Sequence, residues 1–83
     1  MSLANFLNKI IKYDGFILID YDSKKYEIGK PLKENPIQIR LLDKSLNYKL
    51  LLNPDLYFGE AYTDGSLIIE NGSLTDFLEI AFK

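Results

Sequence analysis

The sequence predicts a small α+β domain, a mainly antiparallel sheet of about four strands covered by helices. Three observations predict it. Apolar residues recur with helical spacing at the start, at Leu3, Phe6, Leu7, Ile10 and Ile11. Short β-rich runs bounded by turn residues then occupy the stretch from Gly15 to Leu41. Two helix-start signals, Asn53-Pro54 and Ser73-x-x-Asp76, mark the second half. With 83 residues, 47% of them hydrophobic, the chain supports one domain with one core, residues 1–83.

The elements follow in order. Ser2 is placed to cap the first helix by accepting a backbone N–H, and Asp14-Gly15 ends it. Phe16 to Tyr21 is rich in β-formers, Asp22-Ser23-Lys24 turns the chain, and Lys25 to Gly29 returns as the second arm of a hairpin. Pro31 and Pro36 bracket a loop, after which Ile37, Ile39 and Leu41 alternate with Gln38 and Arg40, the period of a half-buried strand. Residues 44–52 admit two readings. Leu46, Leu50 and Leu51 suit a short helix capped by Asp43 or Ser45, whereas Tyr48 to Leu52 also extends a strand; the helix is preferred. Asn53 is a good N-cap, Pro54 suits the first helical position and Asp55 suits the positive helix end. That helix carries Leu56, Tyr57, Phe58, Ala61 and Tyr62 and closes at Asp64-Gly65. Leu67-Ile68-Ile69 forms a short strand, Asn71-Gly72 turns, and the capping-box variant from Ser73 opens a last helix with Leu74, Phe77, Leu78, Ala81 and Phe82 on one face.

Composition narrows the chemistry. With no cysteine there is neither a disulfide framework nor a thiolate metal site, and with no histidine the commonest general base and metal ligand are missing. No catalytic residue and no metal site is assigned, and a self-contained hydrolase or zinc enzyme is not expected. The net charge of −2 hides a division: residues 1–50 carry nine Lys/Arg against six acids, residues 51–83 one lysine against six acids. Such polarity can orient a domain on an anionic membrane or a partner, with Lys9, Lys12, Lys24 and Lys25 as membrane-facing candidates, though scattered surface charge is the simpler reading. A single arginine among interleaved acids gives no basic stripe for nucleic acid. The longest apolar run is far short of the ~20 residues of a membrane helix, and no basic segment precedes an apolar one at the start, so a cytoplasmic chain is expected.

The densest stretch is "NPDLYFGEAYTDGSLIIEN", residues 53–71. Gly65 after Asp64 sits where a turn requires positive φ, which glycine takes without steric cost. Gly59 inside a helix costs ~1 kcal/mol against alanine, which predicts close packing of a strand or a lipid chain there. Glu60 and Asp64 share a helical face and repel mildly; surface or turn-bonding carboxylates are the simpler reading over catalytic ones. Tyr57, Phe58 and Tyr62 are the candidates for touching an acyl chain, since tyrosine joins an apolar ring to a polar tip, against the alternative that they fill the core.

Residues 50–80, and within them Gly59-Glu60-Ala61-Tyr62-Thr63-Asp64-Gly65, resemble the amino-terminal region of cyclopropane-fatty-acyl-phospholipid synthases, which read much like "GEAYMDG" before an apolar strand and a leucine-rich helix. Thr63 departs from the usual methionine, and Tyr26 to Pro31 resembles the family's turn upstream. More remotely, the layout is similar to the sterol carrier protein fold. The resemblance implies a lipid-engaging amino-terminal domain, peripheral to the inner face of the membrane, that positions a separate methyltransferase domain. That second domain would transfer a methylene unit from S-adenosylmethionine to an acyl double bond, with a bound bicarbonate. No G-x-G-x-x-G follows a strand here, so the cofactor belongs to the other domain and this chain alone is not expected to methylate. The implied partners are the phospholipid surface, the methyltransferase domain and a second copy of the chain. Two other readings stand beside it: a structural docking or dimerisation module without lipid affinity, and a free-standing small lipid carrier.

Overall fold

The computed structural model describes residues 3–11, 14–32 and 34–81. Its order is α1 (Leu3–Ile10), β1 (Gly15–Ile19), β2 (Lys25–Gly29), β3 (Gln38–Leu41), α2 (Leu46–Leu52), α3 (Pro54–Asp64), β4 (Leu67–Glu70) and α4 (Leu74–Ala81). The expected class is met: an α+β domain with a four-stranded sheet and four helices. The predicted cap at Ser2 and the apolar position Phe82 lie outside the described residues, as does Lys12.

The sheet runs β2-β1-β3-β4 and is mixed, with β1 parallel to β3 between two antiparallel pairs. Register sorts its faces. Phe16, Leu18, Tyr26, Ile28, Ile39, Leu41, Leu67 and Ile69 share one side. There they pack with Leu3, Ile11, Leu46, Leu50, Ala61 and Phe77 from the helices and their flanks, so all four helices lie over this face. The other side carries Lys25, Glu27, Gln38, Arg40, Ile68 and Glu70, with an Arg40–Glu70 ion pair at 3.2 Å across it. Its half-exposed setting makes that pair worth no more than about 1 kcal/mol. Apolar-in, polar-out alternation on β2 and β3 is what a sheet covered on one side requires. β1 is apolar on both faces, through Ile17 and Ile19 on the outer side, and β4 adds Ile68 there.

Local boundaries shift where side chains intervene. β1 stops at Ile19 instead of reaching Tyr21, because the Asp20 carboxylate accepts the Tyr21 amide at 2.7 Å and the Asp20 carbonyl accepts the Ser23 amide at 2.8 Å. These bonds bend the chain early, with Ser23 at φ 68°. Residues 44–52 resolve to a helix beginning at Leu46. Ser45 occupies its N-cap without a side-chain bond, and the Asp43 carboxylate instead accepts the Ser45 amide at 2.9 Å. The remaining signals read directly. Asn53 Oδ1 accepts Leu56 N at 3.3 Å, Gly65 closes α3 at φ 86°, and Ser73 and Asp76 exchange side-chain-to-backbone bonds at 3.0 and 3.2 Å.

Two polar latches join the first helix, the hairpin and the loop beyond it. Asn8 Oδ1 accepts Gly29 N at 2.7 Å. Asp14 accepts Gly15 N at 2.7 Å and Leu32 N at 3.2 Å on Oδ1, while its carbonyl accepts Lys30 N at 3.3 Å.

Candidate functional site

The face that buries the core also holds an apolar pocket of about 90 Å³. Its floor is sheet, through Phe16, Leu18, Ile39, Leu41 and Leu67. Its walls come from every helix: Leu7, Ile10 and Ile11 on and after α1, Leu50 on α2, Pro54, Asp55 and Phe58 on α3, Phe77 on α4. Among these, Ile10 and Asp55 are the exposed ones, so the mouth lies between the end of α1 and the start of α3. Asp55 supplies the only charge in the lining among the described residues.

The pocket's shape follows from the aromatic packing. Phe58 stacks on Phe77 at 4.6 Å between centroids and 10°, and Phe77 meets Phe16 edge-on at 5.0 Å and 72°. Such contacts add about 0.5–1.5 kcal/mol each beyond area burial. Rigid rings cannot fold into the remaining space, so it stays open. Leu52 and Leu56 flank the lining residues Pro54 and Asp55 in sequence and are 77% and 50% exposed. Ile10 is 49% exposed. An exposed isoleucine in the lining of an apolar opening, with two exposed leucines next to lining residues in sequence, is an arrangement that stability alone does not require.

Of the three aromatic candidates, one reaches the pocket. Phe58 lines it. Tyr57 is half-buried against the core, with the Lys49 ammonium 5.9 Å from its ring centroid. Tyr62 lies exposed, one turn beyond Phe58 on α3 and outside the lining. Gly59 corrects one half of its expectation: a Cβ built there meets nothing within 4 Å, so no strand among the described residues packs against it. Glu60 and Asp64 are exposed, and Asp64 has a turn-bonding role, its Oδ1 accepting the Ser66 amide at 2.8 Å and the Ser66 hydroxyl at 2.6 Å.

The described lysine candidates, Lys9, Lys24 and Lys25, do not gather into one patch. Asn8 binds Gly29 at the far end of β2 from Lys25, so about 13 Å of strand separates the neighbourhood of Lys9 from Lys24 and Lys25. Lys24 and Lys25 share their hairpin with Asp20 and Asp22. Sequence reasoning missed Ile10 and Asp55 as lining residues, and the exposure of Leu52 and Leu56 beside Asp55. One signal for them was present: a short helix beside the sheet buries one face, so the triplet Leu50-Leu51-Leu52 had to leave a leucine in water.

Ser66 also sets the ionisation of Asp64. Its hydroxyl first, then its amide, hold the Asp64 carboxyl below the usual carboxylate range. Asp43 is lowered in the same direction by the Ser45 amide and then its hydroxyl. For a depressed carboxyl the stabilisation is present above the ordinary carboxylate pKa and is lost as pH falls through the folded value. Ser66→Ala is therefore expected to raise the Asp64 pKa toward its ordinary value, followed by the carboxyl carbon signal through an acid titration. An unchanged titration would show that the hydroxyl plays no part.

Among the described residues there is no cluster of three or more acids poised for a metal, and no helix is long and apolar enough to cross a membrane. No family model, curated protein or solved structure matches this chain.

Proposed function

We propose that this chain is a lipid-engaging amino-terminal domain of a cyclopropane-fatty-acyl-phospholipid-synthase-like enzyme, working at the cytoplasmic face of a membrane and positioning a separate methyltransferase domain. One observation carries the lipid side of this reading: Ile10 stands exposed in the lining of an apolar pocket, and Leu52 and Leu56 stand exposed next in sequence to the lining residues Pro54 and Asp55. The family side rests on the Gly59-Glu60-Ala61-Tyr62-Thr63-Asp64-Gly65 run, as does the remoter sterol-carrier-like comparison on the order of elements. S-adenosylmethionine belongs to the other domain in this reading.

Size sets what the pocket does. A dry cavity of about 150 Å³ admits benzene, six carbons, so 90 Å³ admits roughly four. A whole acyl chain is larger than this space, which favours a docked domain over the free-standing carrier. The domain instead rests its aliphatic rim in the outer acyl region, and burying a leucine there is worth about 1.5–3 kcal/mol. Because Asp55 faces the mouth and the lysines are dispersed, apolar contact leads and charge follows.

The test is co-sedimentation with phosphatidylglycerol–phosphatidylethanolamine vesicles at low salt. Wild-type protein is expected to bind, and Leu52→Asp/Leu56→Asp to bind at least tenfold more weakly with an unchanged far-ultraviolet spectrum. Failure of the wild type to sediment, or equal binding by the double variant, removes the lipid role. The docking reading has its own support, because four carbons is also the size of one leucine side chain.

A further inference from the structure

The chain carries a knob that matches its own pocket. Leu32 is 75% exposed, in the loop Lys30-Pro31-Leu32. An exposed leucine alone means little. This one is held outward: Asp14 accepts the amides of both Lys30 and Leu32, and Pro31 fixes the backbone between them. A loop restrained at both ends has little freedom left to lose when its side chain is buried.

Three properties of knob and hole agree. A leucine side chain has four carbons, and the pocket admits roughly four. The knob lies beside the exposed cation Lys30, and the hole has the carboxylate of Asp55 at its mouth. The third property is position. Leu32 is bonded to Asp14, three residues beyond the pocket-lining Ile11, so knob and hole lie within roughly 15 Å of one another. Proximity of that kind allows a two-fold axis to satisfy both contacts at once.

We infer that the pocket receives Leu32 of a second copy of this chain, with Lys30 of each copy paired to Asp55 of the other in a symmetric dimer. Ile10, exposed in the lining, then closes over the inserted side chain. The dimer covers the same aliphatic rim assigned to the membrane, so the two states exclude each other; the inference does not depend on the lipid reading.

Sedimentation velocity of the purified chain without lipid tests it. Wild-type protein is expected to dimerise reversibly at roughly tens of micromolar. Leu32→Asp should weaken the dimer about a hundredfold, since each dimer loses two buried leucines, and its thermal midpoint as a monomer should stay unchanged because Leu32 is exposed. Lys30→Asp and Asp55→Lys should each weaken self-association, while an equimolar mixture of the two should recover a mixed dimer in which both contacts regain opposite charges. The inference is overturned if the wild type is monomeric at about 1 mM, if Leu32→Asp still dimerises, or if the mixture stays monomeric. Monomeric protein whose Leu7, Ile10 and Phe58 signals shift only with phosphatidylglycerol vesicles overturns it in favour of a lipid occupant.

Discussion

Gly29→Ala is expected to cost about 3 kcal/mol or more, while Gly59→Ala, in the motif helix, is expected to stabilise by about 0.5–1 kcal/mol. Gly29 sits at φ 70°, a region that alone costs an L side chain about 1–2 kcal/mol. A Cβ there would also overlap the Asp14 carbonyl oxygen and crowd Ile11, the buried residue that follows α1. Neither neighbour has room to yield, because Gly29 N is held by Asn8 and the Asp14 carbonyl accepts Lys30 N. Against a total stability near 5 kcal/mol for a domain this small, the loss is most of the fold. At Gly59 the space is open and the backbone is helical, so alanine only reduces the freedom of the unfolded chain. Paired urea melts decide the matter. A mild Gly29→Ala, or a destabilising Gly59→Ala, would mean that the close approaches around β2 are misplaced or that Gly59 packs against something. A stabilising Gly59→Ala has a further consequence: the fold does not require glycine there, which leaves the motif's first glycine to a contact outside this chain.

The two glycines also show what a sequence discloses. Where a residue's role is local, it is legible. Asn53-Pro54 at the start of α3, Asp64-Gly65 at its end and the Ser73–Asp76 exchange are all satisfied within a few residues, and each stands where the residue pattern puts it. The hairpin is legible for the same reason, since Ser23 and its neighbours close it locally. What is missing from the pattern is long-range. The parallel pairing of β1 with β3 depends on which strand edge is free after the hairpin forms, and nothing in the alternation of Ile37, Ile39 and Leu41 records that choice. Asn8 reaching Gly29 and Asp14 reaching Leu32 span 21 and 18 residues, and neither has a local signature. The pocket belongs to this second class. Phe58 was accessible to reasoning because it stands just before the Gly59–Gly65 motif on the same helix, but Ile10 and Asp55 come to line one pocket only once α1 and α3 lie over the same sheet face. At Gly59 the pattern left a packed strand and a lipid chain both open, because a helical glycine signals a close approach or an external contact equally; the open space there removes the strand.

Phe77→Ala is the second large effect, an expected loss of about 3–5 kcal/mol, enough to leave much of the chain unfolded at room temperature. Phe77 is 7% exposed and is the central ring of three, stacked on Phe58 and edge-on to Phe16. Truncation removes both ring contacts and merges the vacated space with the pocket already there, so the cavity enlarges toward its open mouth. That geometry separates two costs. The loss of packing cannot relax, because Phe16 is fixed on the central strand and Phe58 on a helix capped at both ends. The enlarged space, however, is available to a ligand. Phe77→Leu, which keeps most of the volume, should lose only about 1–2 kcal/mol and still fold. In that variant a small apolar probe such as benzene should raise the thermal midpoint more than in the wild type, since a ligand that binds only the native state stabilises it by mass action. If Phe77→Ala melts like the wild type, α4 does not close the pocket. If Phe77→Leu gains nothing from the probe while remaining folded, the space beside Phe58 is filled by the chain itself, and neither a lipid nor a second copy's leucine has room to enter.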